Sequence, residues 1–167
     1  YAGVACDMSN IVKLKKKYKI FLIEDAAHSF LGKFGNKFLG TIGDFGAFSF
    51  HETKNFVGGQ CGVLSINNLK YIRKAQIILD KGTDRSFIKN KKKYYSWKGI
   101  GSEYRATELS SALLYGQLKN YKQIYNSRKL IWNKYLKELS KVKSQKFYLL
   151  QNSNILKKNA YHVFAII

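Results

Sequence analysis

Apolar and polar positions fall along this chain in blocks short enough to be read as single elements. After Ser9, a candidate N-cap, Ile11, Val12 and Leu14 give way to Lys15, Lys16 and Lys17. That pattern predicts a helix over residues 9–18 whose lysines form a solvated C-terminal end. Ile20-Phe21-Leu22-Ile23 is continuous rather than alternating and stops at Glu24-Asp25. A strand buried on both faces reads this way, which favours a parallel α/β sheet. Residues 30–43 are glycine-rich and predict a loop with short structure, while 45–50 and 61–66 predict two more short apolar strands. Gly58-Gly59 between them suits a turn.

The second half reads as helical. Residues 68–81 place Leu69, Ile72, Ala75, Ile78 and Leu79 on one side, with Gly82 as the stop. Residues 83–101 are rich in lysine and aromatics, carry Gly99 and Gly101, and predict a mobile basic loop. From 106 to 140 one long helix is predicted. Leu114, Leu118, Tyr121, Tyr125, Arg128, Trp132, Tyr135 and Leu139 recur at alternating spacings of four and three, a packing stripe broken once at Arg128. Residues 141–159 read as a linker and 161–167 as the start of a strand. There is no internal repeat.

Composition narrows the class. With 167 residues, of which 46% are hydrophobic, the chain can bury one real core, and disorder is excluded. No apolar run approaches the roughly 18 residues of a membrane span, and nothing at the start resembles a secretion signal. A soluble cytoplasmic protein without a membrane partner is the expectation. Cys6 and Cys61 are too few for a disulfide framework or a zinc site.

The formal charge of +20 would ordinarily suggest a polyanion partner, and a basic nucleic-acid-binding module is the non-enzyme alternative. However, the basic residues are 26 Lys and 4 Arg, proline is absent, and Lys, Ile, Asn and Tyr are abundant together. Those four residues share A/T-rich codons. The charge therefore reads as genome composition, and no nucleic-acid partner is expected.

Ligands of open α/β sheets bind outside the carboxyl ends of the strands. The first predicted strand delivers Glu24, Asp25 and His28 there, and the second delivers Ser49, His51, Glu52 and Lys54. A carboxylate at one strand end and a lysine at its neighbour suit pyridoxal phosphate (PLP), which needs a lysine for its aldehyde, an acid for its pyridine nitrogen and hydroxyl donors for its phosphate. On these residues alone, an Asp25–Lys54 structural ion pair stands equally open.

Two ordered runs carry a resemblance. They are Glu24-Asp25-Ala26-Ala27-His28 and Gly40-Thr41-Ile42-Gly43-Asp44-Phe45-Gly46-Ala47-Phe48-Ser49-Phe50-His51-Glu52-Thr53-Lys54-Asn55. The opening Tyr1-Ala2-Gly3-Val4-Ala5-Cys6-Asp7-Met8, the segment Lys81-Gly82-Thr83-Asp84-Arg85-Ser86, Tyr95-Ser96-Trp97, and Gly101-Ser102-Glu103-Tyr104-Arg105-Ala106-Thr107-Glu108-Leu109 accompany them. Together they resemble the DegT/DnrJ/EryC1/StrS family of PLP-dependent sugar aminotransferases.

The resemblance implies fold type I, an α/β fold with a large mixed-sheet domain and a small C-terminal domain. It implies PLP as cofactor, a homodimer, and amino transfer from L-glutamate to C4 of a nucleotide-linked keto-sugar, a dTDP-4-keto-6-deoxyhexose. Carried over residue by residue, Lys54 is the Schiff-base lysine and proton shuttle. Asp25 pairs with the pyridinium nitrogen, His28 packs on the ring or reaches its phenolic oxygen, and Ser49 binds the phosphate.

A dehydratase branch has His where Lys54 stands, so the lysine favours transamination. His51 and His162 are expected to pack rather than to act, and Cys61 to pack in the third strand. The family usually reads Gly-Glu-Gly-Gly where this chain has Gly59-Gln60-Cys61-Gly62, and many members carry Asn at Glu103. Family members are also much longer. Residues 1–140 are thus expected to be the central part of the PLP-binding domain, and 141–167 a linker and the start of a truncated small domain.

Overall fold

The computed structural model describes residues 1–88, 94–142 and 159–166. Along them run α1 (Met8–Tyr18), β1 (Ile23–Asp25), a hairpin of β2 (Lys33–Phe34) and β3 (Lys37–Phe38), β4 (Phe45–Ser49) and β5 (Gly62–Ile66). Then follow α2 (Ile72–Leu79), α3 (Glu108–Lys119) and α4 (Tyr121–Leu139). The main sheet has the order β1-β4-β5. β1 lies parallel to β4 with Glu24 opposite Gly46, and β5 lies antiparallel to β4 with Ser65 opposite Gly46. The sheet is mixed α/β rather than all-parallel.

Local chemistry shifts several predicted boundaries. Asp7, not Ser9, caps α1: its carboxylate accepts the Asn10 N–H at 3.3 Å and the Asn10 side-chain amide at 2.7 Å. The lysine run is not wholly solvated, because Lys15 turns inward to Asp44 at 2.8 Å. Asp44 also accepts the Leu22 N–H at 2.9 Å and the Asn68 amide at 3.2 Å. The Leu22 N–H and then Lys15 hold its carboxyl down to about 2. One side chain thus joins α1, the entry to β1 and the start of the short 3-10 turn Leu69–Tyr71 that precedes α2.

The expected doubly buried strand is shorter than its apolar run. β1 begins only at Ile23 and lies at the edge of the sheet, and Ile20, Phe21 and Ile23 are exposed. Its one buried residue is Glu24, because successive strand side chains point to opposite faces. Under the sheet the Glu24 carboxylate accepts three backbone N–H groups, from Gly40 at 2.7 Å and from Ile42 and Gly43 at 2.6 Å each. Gly46 lets this loop approach: a Cβ there would lie 2.1 Å from the Gly40 carbonyl oxygen.

The predicted helix over 106–140 divides at Asn120. Thr107 caps α3 by accepting the Ser110 N–H at 3.1 Å, and the Asn120 side chain donates back to the Gly116 carbonyl at 3.0 Å. Of the packing stripe, Trp132 is buried and Tyr125 packs beside it, whereas Tyr121 and Tyr135 face outward. Trp132 and Tyr161 centre a cluster with Val4, Leu136 and Phe164. A second cluster sets Phe30 against Phe48, Phe50 and the fully buried Phe56.

Residues 159–165 form no strand, and most of the expected linker lies outside the described residues. The expected basic loop closes on itself through Asp84, which accepts the Ser96 N–H at 2.8 Å, while its residues 89–93 also lie outside.

The Glu24 clamp gives a first prediction. Glu24→Gln sets an amide NH2 against N–H donors and should lower stability by about 3 kcal/mol, read as an earlier thermal unfolding midpoint. An unchanged midpoint would mean that the loop at 40–43 is held by something else.

Candidate active site at the Lys54 turn

Beyond β4 the chain folds into a turn held by its own side chains. Ser49 Oγ accepts the His51 N–H at 3.3 Å, and the His51 carbonyl accepts the Lys54 N–H at 2.9 Å. His51 Nδ1 lies 3.3 Å from the Thr53 N–H that it accepts and 3.2 Å from Thr53 Oγ1. His51 is therefore a turn-former. The ends of the turn close through Phe50 N–H to the Cys61 carbonyl at 2.9 Å and Gly58 N–H to the Phe50 carbonyl at 2.7 Å. Cys61 sits just before β5, its Sγ 3.4 Å from the Gly58 carbonyl, and burial pushes its thiol pKa up.

Of the residues singled out in the sequence, His28, Ser49 and Lys54 come together around one small cavity, lined also by Ala27, Asn55 and His162. Its free volume of about 10 Å³ has room for one water. Asp25 lines an adjoining cleft of about 360 Å³ that shares Ala27 and His28 with the cavity. The Asp25 side chain is exposed and accepts the Ala27 N–H at 3.1 Å. Asp25 and Lys54 form no ion pair, and among the described residues Lys54 has no ion-pair partner. Glu24 also lines that cleft, but its carboxylate is committed to backbone N–H groups of the 40–43 loop, and Glu52 is exposed.

The electrostatics of the cavity are cationic. Burial and then Lys54 lower the pKa of His28, against a smaller opposing pull from Asp25. His28 Nδ1 accepts the Ala2 N–H at 3.2 Å, and its ring leans on Tyr1 at 5.0 Å between centroids. His162, expected only to pack, stands 4.4 Å from the His28 ring centre and has Nδ1 2.9 Å from Asn55 Oδ1. Burial first, then His28, Lys54 and Arg128, push its pKa down to about 4. His162, and its pairing with Asn55, could not be placed here from local pattern, because the two residues lie 107 positions apart.

The departures from the family pattern are peripheral to this cavity. Gln60 is exposed. Glu103 lies 3.3 Å from Lys81 and 3.9 Å from Arg105. Arg105 in turn binds the buried Asp80 carboxylate, whose pKa is lowered by Ser86 and by Arg105.

Comparison with known proteins gives a consistent result. Residues 1–167 match the DegT/DnrJ/EryC1/StrS aminotransferase family. An uncharacterized protein of Methanocaldococcus jannaschii is 30% identical over 170 residues, covering 98% of this chain and 42% of that protein. A UDP-4-amino-4,6-dideoxy-N-acetyl-beta-L-altrosamine transaminase of Campylobacter jejuni is 28% identical over 167 residues, covering 100% of this chain and 43% of that protein. Among solved structures, Helicobacter pylori PseC, an aminotransferase involved in the biosynthesis of pseudoaminic acid, superposes with a TM-score of 0.81 at 25% identity. That match covers 99% of this chain and 43% of PseC. The chain spans about two-fifths of the length of the relatives it matches.

The His162 environment makes stability depend on pH. Its folded pKa of about 4 lies below the ordinary 6.5, so the unfolded chain binds more protons between those values. The contribution is complete above about pH 6.5 and is lost as pH falls toward 4, about 2 kcal/mol after allowing for its partial exposure. Thermal midpoints measured across that window should fall less steeply in His162→Gln than in the parent protein. Parallel slopes would contradict this.

Proposed function

We propose that this chain, which belongs to the DegT/DnrJ/EryC1/StrS aminotransferase family, is the central part of a PLP-dependent sugar aminotransferase with Lys54 as the cofactor lysine. The observation that carries the reading is an amine without an ion-pair partner among the described residues, in a cavity with Ser49 and His28 and beside the cleft lined by Asp25. The donor set fits PLP: one amine, one exposed carboxylate, one hydroxyl and one imidazole converge at neighbouring strand ends. The cavity with Lys54 and Ser49 and the cleft with Asp25 adjoin through Ala27 and His28, so these residues together would hold the group.

When bound, PLP supplies an aldehyde that carries the amino group and a ring that withdraws electrons from the reacting carbon. The protein's side chains do the rest. Lys54 Nζ would hold the cofactor and, as a free amine, would carry the proton at the reacting carbon. Asp25 lies in the cleft as an anionic partner for a protonated ring nitrogen. Ser49 Oγ already accepts the His51 N–H, which leaves its own hydrogen to donate to the phosphate. Likewise His28 accepts at Nδ1 and keeps a proton on Nε2 to donate.

The substrate reading is finer. The segments Tyr1–Met8, His51–Asn55, Lys81–Ser86 and Tyr95–Trp97 resemble those of dTDP-4-amino-4,6-dideoxygalactose transaminase, and that resemblance supports amino transfer from L-glutamate to C4 of a dTDP-4-keto-6-deoxyhexose, for a surface glycan. The Campylobacter relative, named for a UDP-linked 4-amino-4,6-dideoxy sugar, supports the same ring position with a different nucleotide. Residues 1–140 are read as part of the cofactor-binding domain and 141–167 as the passage into a smaller one. The working protein is read as a homodimer.

Amino transfer from L-glutamate should be measured with dTDP-linked and UDP-linked 4-keto-6-deoxyhexoses. The dTDP sugar should be preferred by at least tenfold in kcat/KM, and preference for the UDP sugar would redirect the substrate assignment. Lys54→Ala should abolish transfer, and Asp25→Asn should lower it at least about a hundredfold, the scale of a misplaced acid–base partner. Full activity in Lys54→Ala would overturn the assignment of the lysine.

A further inference from the structure

His162 enters the Lys54 cavity from the far end of the described chain, on a segment fixed at several points. The Asn55 side-chain NH2 donates to the Ala160 carbonyl at 2.5 Å, and the Ala160 N–H donates to the Gly3 carbonyl at 3.0 Å. Trp132 Nε1–H donates to the Val163 carbonyl at 3.3 Å. Between these ties Tyr161 holds a left-handed φ of +52°, which a bulky residue keeps only where its surroundings enforce it. The segment is thus held in a conformation that delivers one imidazole to one place.

The hydrogen bonds then determine where that imidazole carries its proton. Asn55 spends its NH2 on Ala160, so the atom it turns to His162 Nδ1 is its carbonyl oxygen, 2.9 Å away. An oxygen acceptor there requires Nδ1–H, which leaves the lone pair of a neutral ring on Nε2. We infer that His162 is a positioning residue for Lys54: fixed by Asn55 with its proton on Nδ1, it offers Nε2 as a hydrogen-bond acceptor in the cavity the two residues share. The inference rests on Lys54 being the working amine of the site.

The surroundings maintain this state. The charged and titratable groups acting on His162 are His28 from the loop after β1, Lys54 from the turn after β4, and Arg128 from α4, all of them cationic or neutral. All three oppose a second proton on the ring, so it stays an acceptor at neutral pH and sets no additional cation against the lysine. His28 is its complement, accepting at Nδ1 from Ala2 and carrying its proton on Nε2. The cavity therefore holds one imidazole that donates and one that accepts, in ring contact at 4.4 Å.

The direct test is the ¹⁵N imidazole spectrum of the protein before PLP is added, at neutral pH, with His162 assigned by its loss in His162→Gln. A protonated Nδ1 with a bare Nε2 is expected; an Nε2–H tautomer or a doubly protonated ring overturns the inference. In the loaded enzyme, His162→Asn and His162→Phe should lower kcat about tenfold with little change in KM for L-glutamate. His162→Gln, whose amide can place an oxygen where Nε2 stood, should lose measurably less, and equal losses in all three overturn the role. The two readings fail separately. Covalent PLP found on a lysine other than Lys54 removes the site reading and this inference with it, whereas the wrong tautomer with PLP on Lys54 removes only the role of His162.

Discussion

The Glu24 carboxylate, buried beneath the sheet with three backbone N–H donors from residues 40–43, is the constraint on which the rest of this structure depends. A buried carboxylate is costly unless its lone pairs are filled, and here the loop between the hairpin and β4 fills them. The same contact brings β4 alongside β1 in parallel register. Because strand side chains alternate, committing Glu24 to the loop leaves Asp25 exposed, at the rim of the cleft that both residues line. The register with β4 then brings Ser49 and the Lys54 turn to the same end of the sheet as Asp25 and His28.

The strands, the turn and the cavity residues His28, Ser49 and Lys54 were legible in the sequence because each signal is local. Short apolar runs mark β4 and β5, glycines mark the connection between them, and polar residues follow the strand ends. Three readings failed, one to a tertiary partner and two to local side-chain hydrogen bonds that the apolar pattern does not register. Lys15 left the solvated end of α1 for Asp44, Asp7 replaced Ser9 as the cap, and Asn120 divided the helix predicted over 106–140. Glu24 was grouped with the ligand-facing residues because a sequence does not say which of two adjacent carboxylates faces the sheet's covered side.

The pairing of Asn55 with His162 was illegible for a different reason. Each looks ordinary in its own segment, and their meaning arises only when residues 159–164 cross the N-terminal loop, the Lys54 turn and α4 together. A contact over 107 positions leaves no periodic trace. What the chain does show locally is a bulky residue, Tyr161, in a glycine-like conformation, a property of backbone geometry that composition cannot announce.

The central claim is that the amine at Lys54 is the attachment point for PLP, and it is tested most directly by trapping. Protein incubated with PLP, reduced with borohydride and digested should yield one modified peptide, with the label on Lys54. A label on any other of the 26 lysines, or a PLP-saturated protein that yields no label, would contradict the account.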